Sequence, residues 1–209
     1  MPFLYVPIPP LAAVFAFVLA AMPAGLSLAS DSIYSKIDDA NCQWDKLTAE
    51  QGEEGQGGCA TCPGPDGYIV RLCEGDLRQS TFYGSYVPDE MSWQSFGEFN
   101  RAGPTVEWRL VEGVPVATIH RFFIENMNDN GEVDPKREGQ VLVISTVATP
   151  DYPYSCHVGY VDARANADAN VLAQKIADEI AIGFQCENDR PAFYGKRGPF
   201  SGTPTGLNE

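Results

Sequence analysis

The chain has 209 residues and is acidic, with 28 Asp and Glu against 14 Lys and Arg, a formal net charge of −14. That balance repels nucleic acid and anionic lipid, so polyanion-binding functions are excluded and a cationic partner is favoured. The length suits one domain of ordinary size, and 44% hydrophobic residues can supply its core.

Residues 1–30 carry no charged side chain, and 11–22 form an uninterrupted apolar run that Pro23 and Gly25 break. With small residues at Ser27 and Ala29, residues 1–29 read as a signal peptide cleaved after Ala29. The run is shorter than the about 18 residues of a spanning helix. Because 1–10 contain no Lys or Arg, a retained anchor is the alternative. Export places the protein in the periplasm or outside the cell, with no membrane contact after cleavage.

Six cysteines follow the signal: Cys42, Cys59, Cys62, Cys73, Cys156 and Cys186. An even set in an oxidising compartment reads as disulfides. Clustering in the chain suggests Cys156–Cys186 and two bonds within the first four, for instance Cys42–Cys62 with Cys59–Cys73. Cys59 and Cys62 have the spacing of a redox dithiol, but Pro63 and Pro65 stand where a helix N-terminus would be needed to lower a thiol pKa. Structural disulfides are preferred to redox chemistry or zinc, and no metal or cofactor is expected.

Residues 51–58, rich in Gly and Glu, read as a loop. The turn signals at 62–67 lead into a strand at 68–73, a hairpin with Cys59 and Cys73 on its two arms. A second hairpin is clearer. Residues 105–111 alternate, Glu112-Gly113 turns, and 114–124 return. A regular two-residue turn sets Val111 opposite Val114, Glu107 opposite Thr118 and Thr105 opposite His120. Val106, Trp108 and Leu110 then share a core face with Ala117 and Ile119, while Glu107, Arg109 and His120 emerge together on the other. These three are the candidate binding residues; a carboxylate beside an imidazole can prepare acid–base work, but a solvated sheet face is the simpler reading.

Asn126 to Asp134 has oxygens at alternate positions and Gly131 at the sixth, like the start of a calcium loop. Arg137 occupies the twelfth position, where a bidentate acid is needed, so a turn is expected. Residues 140–147 read as a central strand and 156–161 as another, with His157 half-buried on it. Ala169, Leu172, Ala173, Ile176 and Ile180 recur at helical spacing, with Asn166 as N-cap and Gly183 as stop. The tail 194–209, rich in Gly and Pro, is expected to be flexible. The fold class is α+β: a single disulfide-bearing domain, 30–193, of several antiparallel strands with one C-terminal amphipathic helix packed on them.

The words Glu74-Gly-Asp-Leu-Arg-Gln-Ser80, Gly103-Pro-Thr-Val-Glu-Trp-Arg-Leu110 and Cys156-His-Val-Gly-Tyr-Val-Asp-Ala163, in this order, resemble a family of exported bacterial proteins. The resemblance spans roughly residues 34–195 and implies a single domain but no particular activity. Ala167 departs from it, standing where a helix-opening Pro is expected.

Two histidines are too few for triad or zinc-protease chemistry, and no nucleophile-elbow, zinc-protease, dinucleotide or phosphate-loop motif is present. The leading expectation is a non-catalytic envelope module that binds or inhibits a protein partner. The alternatives are a carboxylate-dependent hydrolase of envelope polymers, which needs a cleft with two acids, and a structural envelope component, which needs an exposed apolar patch or open strand edge.

Overall fold

The computed structural model describes residues 1–2, 31–45, 57–89 and 91–206. Residues 3–29 of the expected signal segment, most of the loop 51–58 and the last three residues of the expected tail lie outside the described residues.

Six strands form the main sheet in the order β1 (Asp31–Lys36), β7 (Asn100–Val111), β8 (Val114–Ile124), β9 (Gly139–Thr146), β10 (His157–Asp162) and β11 (Ala192–Tyr194). Every pairing is antiparallel except β10 with β11. The expected turn is present: Val111 faces Val114, and Glu112 and Gly113 both have positive φ, 52° and 81°, the pair of left-handed residues that a tight hairpin requires.

Helix α1 (Ala169–Glu179) lies on the outer face of this sheet and packs Ala169, Ala173, Ile176 and Ala177 against Ile119, Leu142, Ile144 and Val158. It starts three residues after the expected cap, with Asp168 as N-cap. The Asn166 amide is otherwise committed, donating to the Asp162 and Lys196 carbonyls at 2.9 and 2.8 Å.

A second sheet covers the inner face. Its order is β2 (Gln43–Trp44), β3 (Cys59–Pro63), β4 (Ile69–Gly75) and β5 (Arg78–Gly84). Ala60, Cys62, Val70 and Tyr83 from this sheet enclose Val106 and Trp108 from the first. Trp108 is fully buried, donates Nε1–H to Ser35 Oγ at 2.9 Å and meets Tyr83 edge-on. A Cβ at Gly64 would stand 2.8 Å from the Trp108 ring, so close packing requires glycine there. A third cluster, Phe96, Phe122, Ile124, Val141, Val143 and Tyr160, continues this inner core.

The cysteines pair as their clustering suggests: Cys42–Cys62, Cys59–Cys73 and Cys156–Cys186. Cys59 and Cys73 are direct cross-strand partners on the expected hairpin. Each bond contributes about 2–4 kcal/mol by restricting the unfolded chain. Such bonds fit an exported protein. Among the described residues no helix is long and apolar enough to cross a membrane.

The segment expected to be a flexible tail is ordered through residue 206. Tyr194 belongs to β11, and β12 (Pro204–Thr205) pairs with β6 (Ser95–Phe96). Between them Gly198 N–H donates to buried Asp162 at 2.9 Å and Thr203 N–H to Glu98 at 2.7 Å. Ser201 is buried. Gly and Pro here serve turns held by side-chain acceptors rather than disorder.

Candidate functional site

The proposed trio of Glu107, Arg109 and His120 does not share a face. Leu110 pairs with Pro115 but Arg109 pairs with Ala117, so Val116 is an extra residue in β8. This bulge shifts the register by one: Trp108 faces Thr118, Glu107 faces Ile119 and Val106 faces His120. Pro115 has no N–H for the ladder, and such residues concentrate at bulges. His120 therefore points inward with Trp108, while Ala117 and Ile119 point outward with Glu107 and Arg109. The expected solvated face does not exist here, because both faces are covered.

Glu107 and Arg109 lie under α1, 9% and 7% exposed. Arg109 holds Asp178 through Nε and Nη2 at 2.9 and 2.7 Å, and donates through Nη1 to Ser32 Oγ. Glu107 Oε1 accepts from Ser32 Oγ at 2.5 Å and from Gln174 Nε2 at 2.8 Å. Burial works against the Arg109 charge, but Asp178 and Glu107 more than offset it and its pKa is raised. The two-pronged pairing bolts helix to sheet. It is a structural bridge, with both partners committed.

His120 closes the gap between the sheets. Its Nε2 is 2.6 Å from the Gly103 carbonyl, which can only accept, so Nε2 carries the proton and Nδ1 accepts from the Tyr83 hydroxyl at 2.7 Å. Burial lowers its pKa to about 4 despite the Gly103 bond, and burial raises that of Tyr83. His157, 1% exposed, meets Tyr160 Oη through Nδ1 at 3.0 Å, and burial lowers its pKa to about 3. Thr118, Ser145 and His157 are successive cross-strand neighbours. Both imidazoles are neutral and enclosed, out of reach of a substrate.

The accessible feature is a groove of about 230 Å³ on the outer face, beyond the start of α1. Tyr34, Gly103, Pro104, Thr105, Glu107, Ile119, Arg121, Phe123, Leu142 and Asn170 line it. A second bulge opens it: Ala102 pairs with Phe122 and Val106 with His120, so Gly103, Pro104 and Thr105 stand opposite Arg121 alone. Arg121 is half-buried, and Nη1 donates to Gln140 Oε1 at 3.0 Å. Among the described residues no carboxylate pairs with it. Arg101, by contrast, pairs with Glu138 at 2.9 Å and stacks over Phe123 at 4.0 Å. Sequence reasoning passed over Arg121. The available signal was Gly103-Pro104 inside a strand, a pair that marks a bulge.

A wider opening of about 540 Å³ adjoins Cys156–Cys186, lined by Phe82, Gln94, Tyr154 and Glu187 among others. Glu187 is the one carboxylate among its lining residues. In the loop after β8, Asn128 Oδ1 accepts from the N–H groups of Asn130 and Glu132, forming a turn. Arg137 Nη1 donates to the Met127 carbonyl and Asp129, both at 3.1 Å, so this loop places its own cation among its oxygens. Among the described residues no three acids, histidines or cysteines are arranged to hold a metal.

No protein-family model, no curated protein and no solved structure matches this chain.

Proposed function

We propose that this is an exported, non-catalytic module of the cell envelope that binds or inhibits a protein partner, in the periplasm or outside the cell. It belongs, on this reading, with the exported bacterial proteins its sequence words resemble. The observation that carries it is the Arg121 groove: an aromatic and aliphatic recess with a guanidinium that no carboxylate pairs among the described residues. The chemistry-bearing side chains support the same reading. Glu107, Arg109 and His120 spend their hydrogen bonds on the fold's own layers, and His157 is enclosed, its Nδ1 meeting Tyr160 while its buried Nε2 has no partner among the described residues. A net charge of −14 favours a cationic partner by steering its approach.

The test is capture from an envelope fraction by the mature domain at low and high salt, repeated with Phe123→Ala. A partner retained by the wild type and lost with Phe123→Ala supports the proposal. No captured partner, or capture indifferent to Phe123→Ala, counts against it.

A further inference from the structure

We propose that the Arg121 groove binds the C-terminal carboxylate of a partner polypeptide whose last residue is apolar. This rests on the binding-module reading and names what the site recognises.

Three features of the groove lead there. The first is charge. Arg121 is the one cation among the lining residues, and among the described residues its guanidinium hydrogen-bonds the neutral Gln140 amide and pairs with no carboxylate. Glu107, which also lines the groove, is turned to Ser32, Gln174 and Arg109 through Oε1. A half-buried guanidinium next to rings and aliphatic groups is desolvated more than a surface arginine, and an incoming carboxylate restores its interactions in the fork geometry Arg favours.

The second is size. Drug-sized ligands occupy about 300–1,000 Å³. At about 230 Å³ this groove takes less, on the scale of one residue, and Ile119, Leu142 and Phe123 offer its side chain an apolar seat.

The third is the way out. Tyr34 lines the groove and is 61% exposed on β1, the edge strand of the main sheet. The chain leading to a bound terminal residue can leave along that edge. An internal acidic side chain would have to bring chain in and out through a recess of one-residue size. A free terminus needs only one exit.

The bulge explains why the site exists. Three residues opposite one part the strands locally, and Gly103 passes between: a Cβ there would come within 3.0 Å of the Arg121 carbonyl and 3.3 Å of the Phe123 ring. The Gly103 carbonyl is anchored from behind by His120. The groove floor is thus tied to the Tyr83–His120 contact between the sheets, which holds it preformed.

The test uses the mature domain and an N-acetylated tripeptide ending in leucine, as free acid and as C-terminal amide, with N-acetyl-leucine as a third ligand. Binding is read by calorimetry and by amide NMR shifts. The free acid is expected to bind and to shift Gly103, Arg121 and Phe123, with the amide weaker by at least about tenfold. Arg121→Gln should erase the preference for the acid while leaving the NMR spectrum of the core unchanged. Equal binding of acid and amide by the wild type overturns the proposal without any variant being needed. No binding of either overturns it too. If N-acetyl-leucine binds as tightly as the tripeptide acid, the site is for a small carboxylate and the polypeptide assignment falls. Envelope capture dependent on Phe123 alongside a failed acid–amide test would leave the binding-module reading standing and remove this one.

Discussion

The Tyr83 hydroxyl donates to His120 Nδ1 at 2.7 Å across the boundary between the two sheets. This bond joins a residue of the disulfide-bearing sheet to one of the main sheet, in a layer otherwise filled by Val106, Trp108 and Val70. Tyr83→Phe keeps the ring and its edge contact with Trp108 but leaves Nδ1 a buried acceptor without its donor. A loss of about 1–3 kcal/mol is expected in urea unfolding. A change near zero would mean that the bond contributes nothing net.

Acid should weaken the fold through both histidines. Their pKa values in the folded protein, about 4 for His120 and about 3 for His157, lie below the ordinary 6.5 because burial penalises the charged ring. Below pH 6.5 the unfolded chain takes up protons that the folded chain refuses. The neutral-histidine contribution is complete above pH 6.5, falls as pH drops through the folded values and is flat below them. At full extent it is on the order of 3 kcal/mol for His120 and 5 for His157. Unfolding free energies at pH 7, 5.5 and 4.5 should show this slope, and His157→Asn should be less steep than the wild type. Equal slopes would contradict the assignment.

Arg109→Ala should be costly. It strands Glu107 beneath α1 and Asp178 on α1 without their cation, and breaking a buried pair from one side costs about 3–5 kcal/mol. Since Asp178 is 29% exposed, the lower end applies. Arg109→Ala together with Asp178→Ala should recover part of the loss. A single variant within about 0.5 kcal/mol of the wild type would return Arg109 to the status of a surface residue.

Trp108→Ala should cost about 3–5 kcal/mol, from a fully buried position enclosed by Tyr68, Tyr83 and Gly64. Denaturant midpoints measure it. Together with Arg109→Ala it tests the covering of both faces, since each variant perturbs a different layer.

Leu77 offers the opposite sign. It sits in the two-residue turn between β4 and β5 with φ of 58° and is 61% exposed. A left-handed non-glycine residue is strained by about 1–2 kcal/mol. Leu77→Gly should therefore raise the thermal midpoint, although glycine's greater freedom in the unfolded chain offsets part of the gain. A lowered midpoint would show that the Leu77 side chain contributes packing.

The sequence by itself determined what depends on neighbours along the chain. Glu112-Gly113 specified a tight turn because both residues must be left-handed. Cys59 and Cys73 met because a hairpin placed them opposite each other. The apolar stripe of α1 and the burial of Trp108 followed from periodicity. Only the tertiary structure decided which layer each strand face meets. Alternation says that Glu107 and Arg109 oppose Trp108; it cannot say that a second sheet covers one face and a helix the other. One extra residue at Val116 inverted the side of His120, because a strand's side chains alternate with a period of two and any slip reverses them all. Arg121 became a candidate site through the same device, a bulge of Gly103, Pro104 and Thr105 against β8 that a regular hairpin register does not contain. Order in the tail also came from distance: Asp162 and Glu98 supply acceptors that 194–206 could not provide for itself.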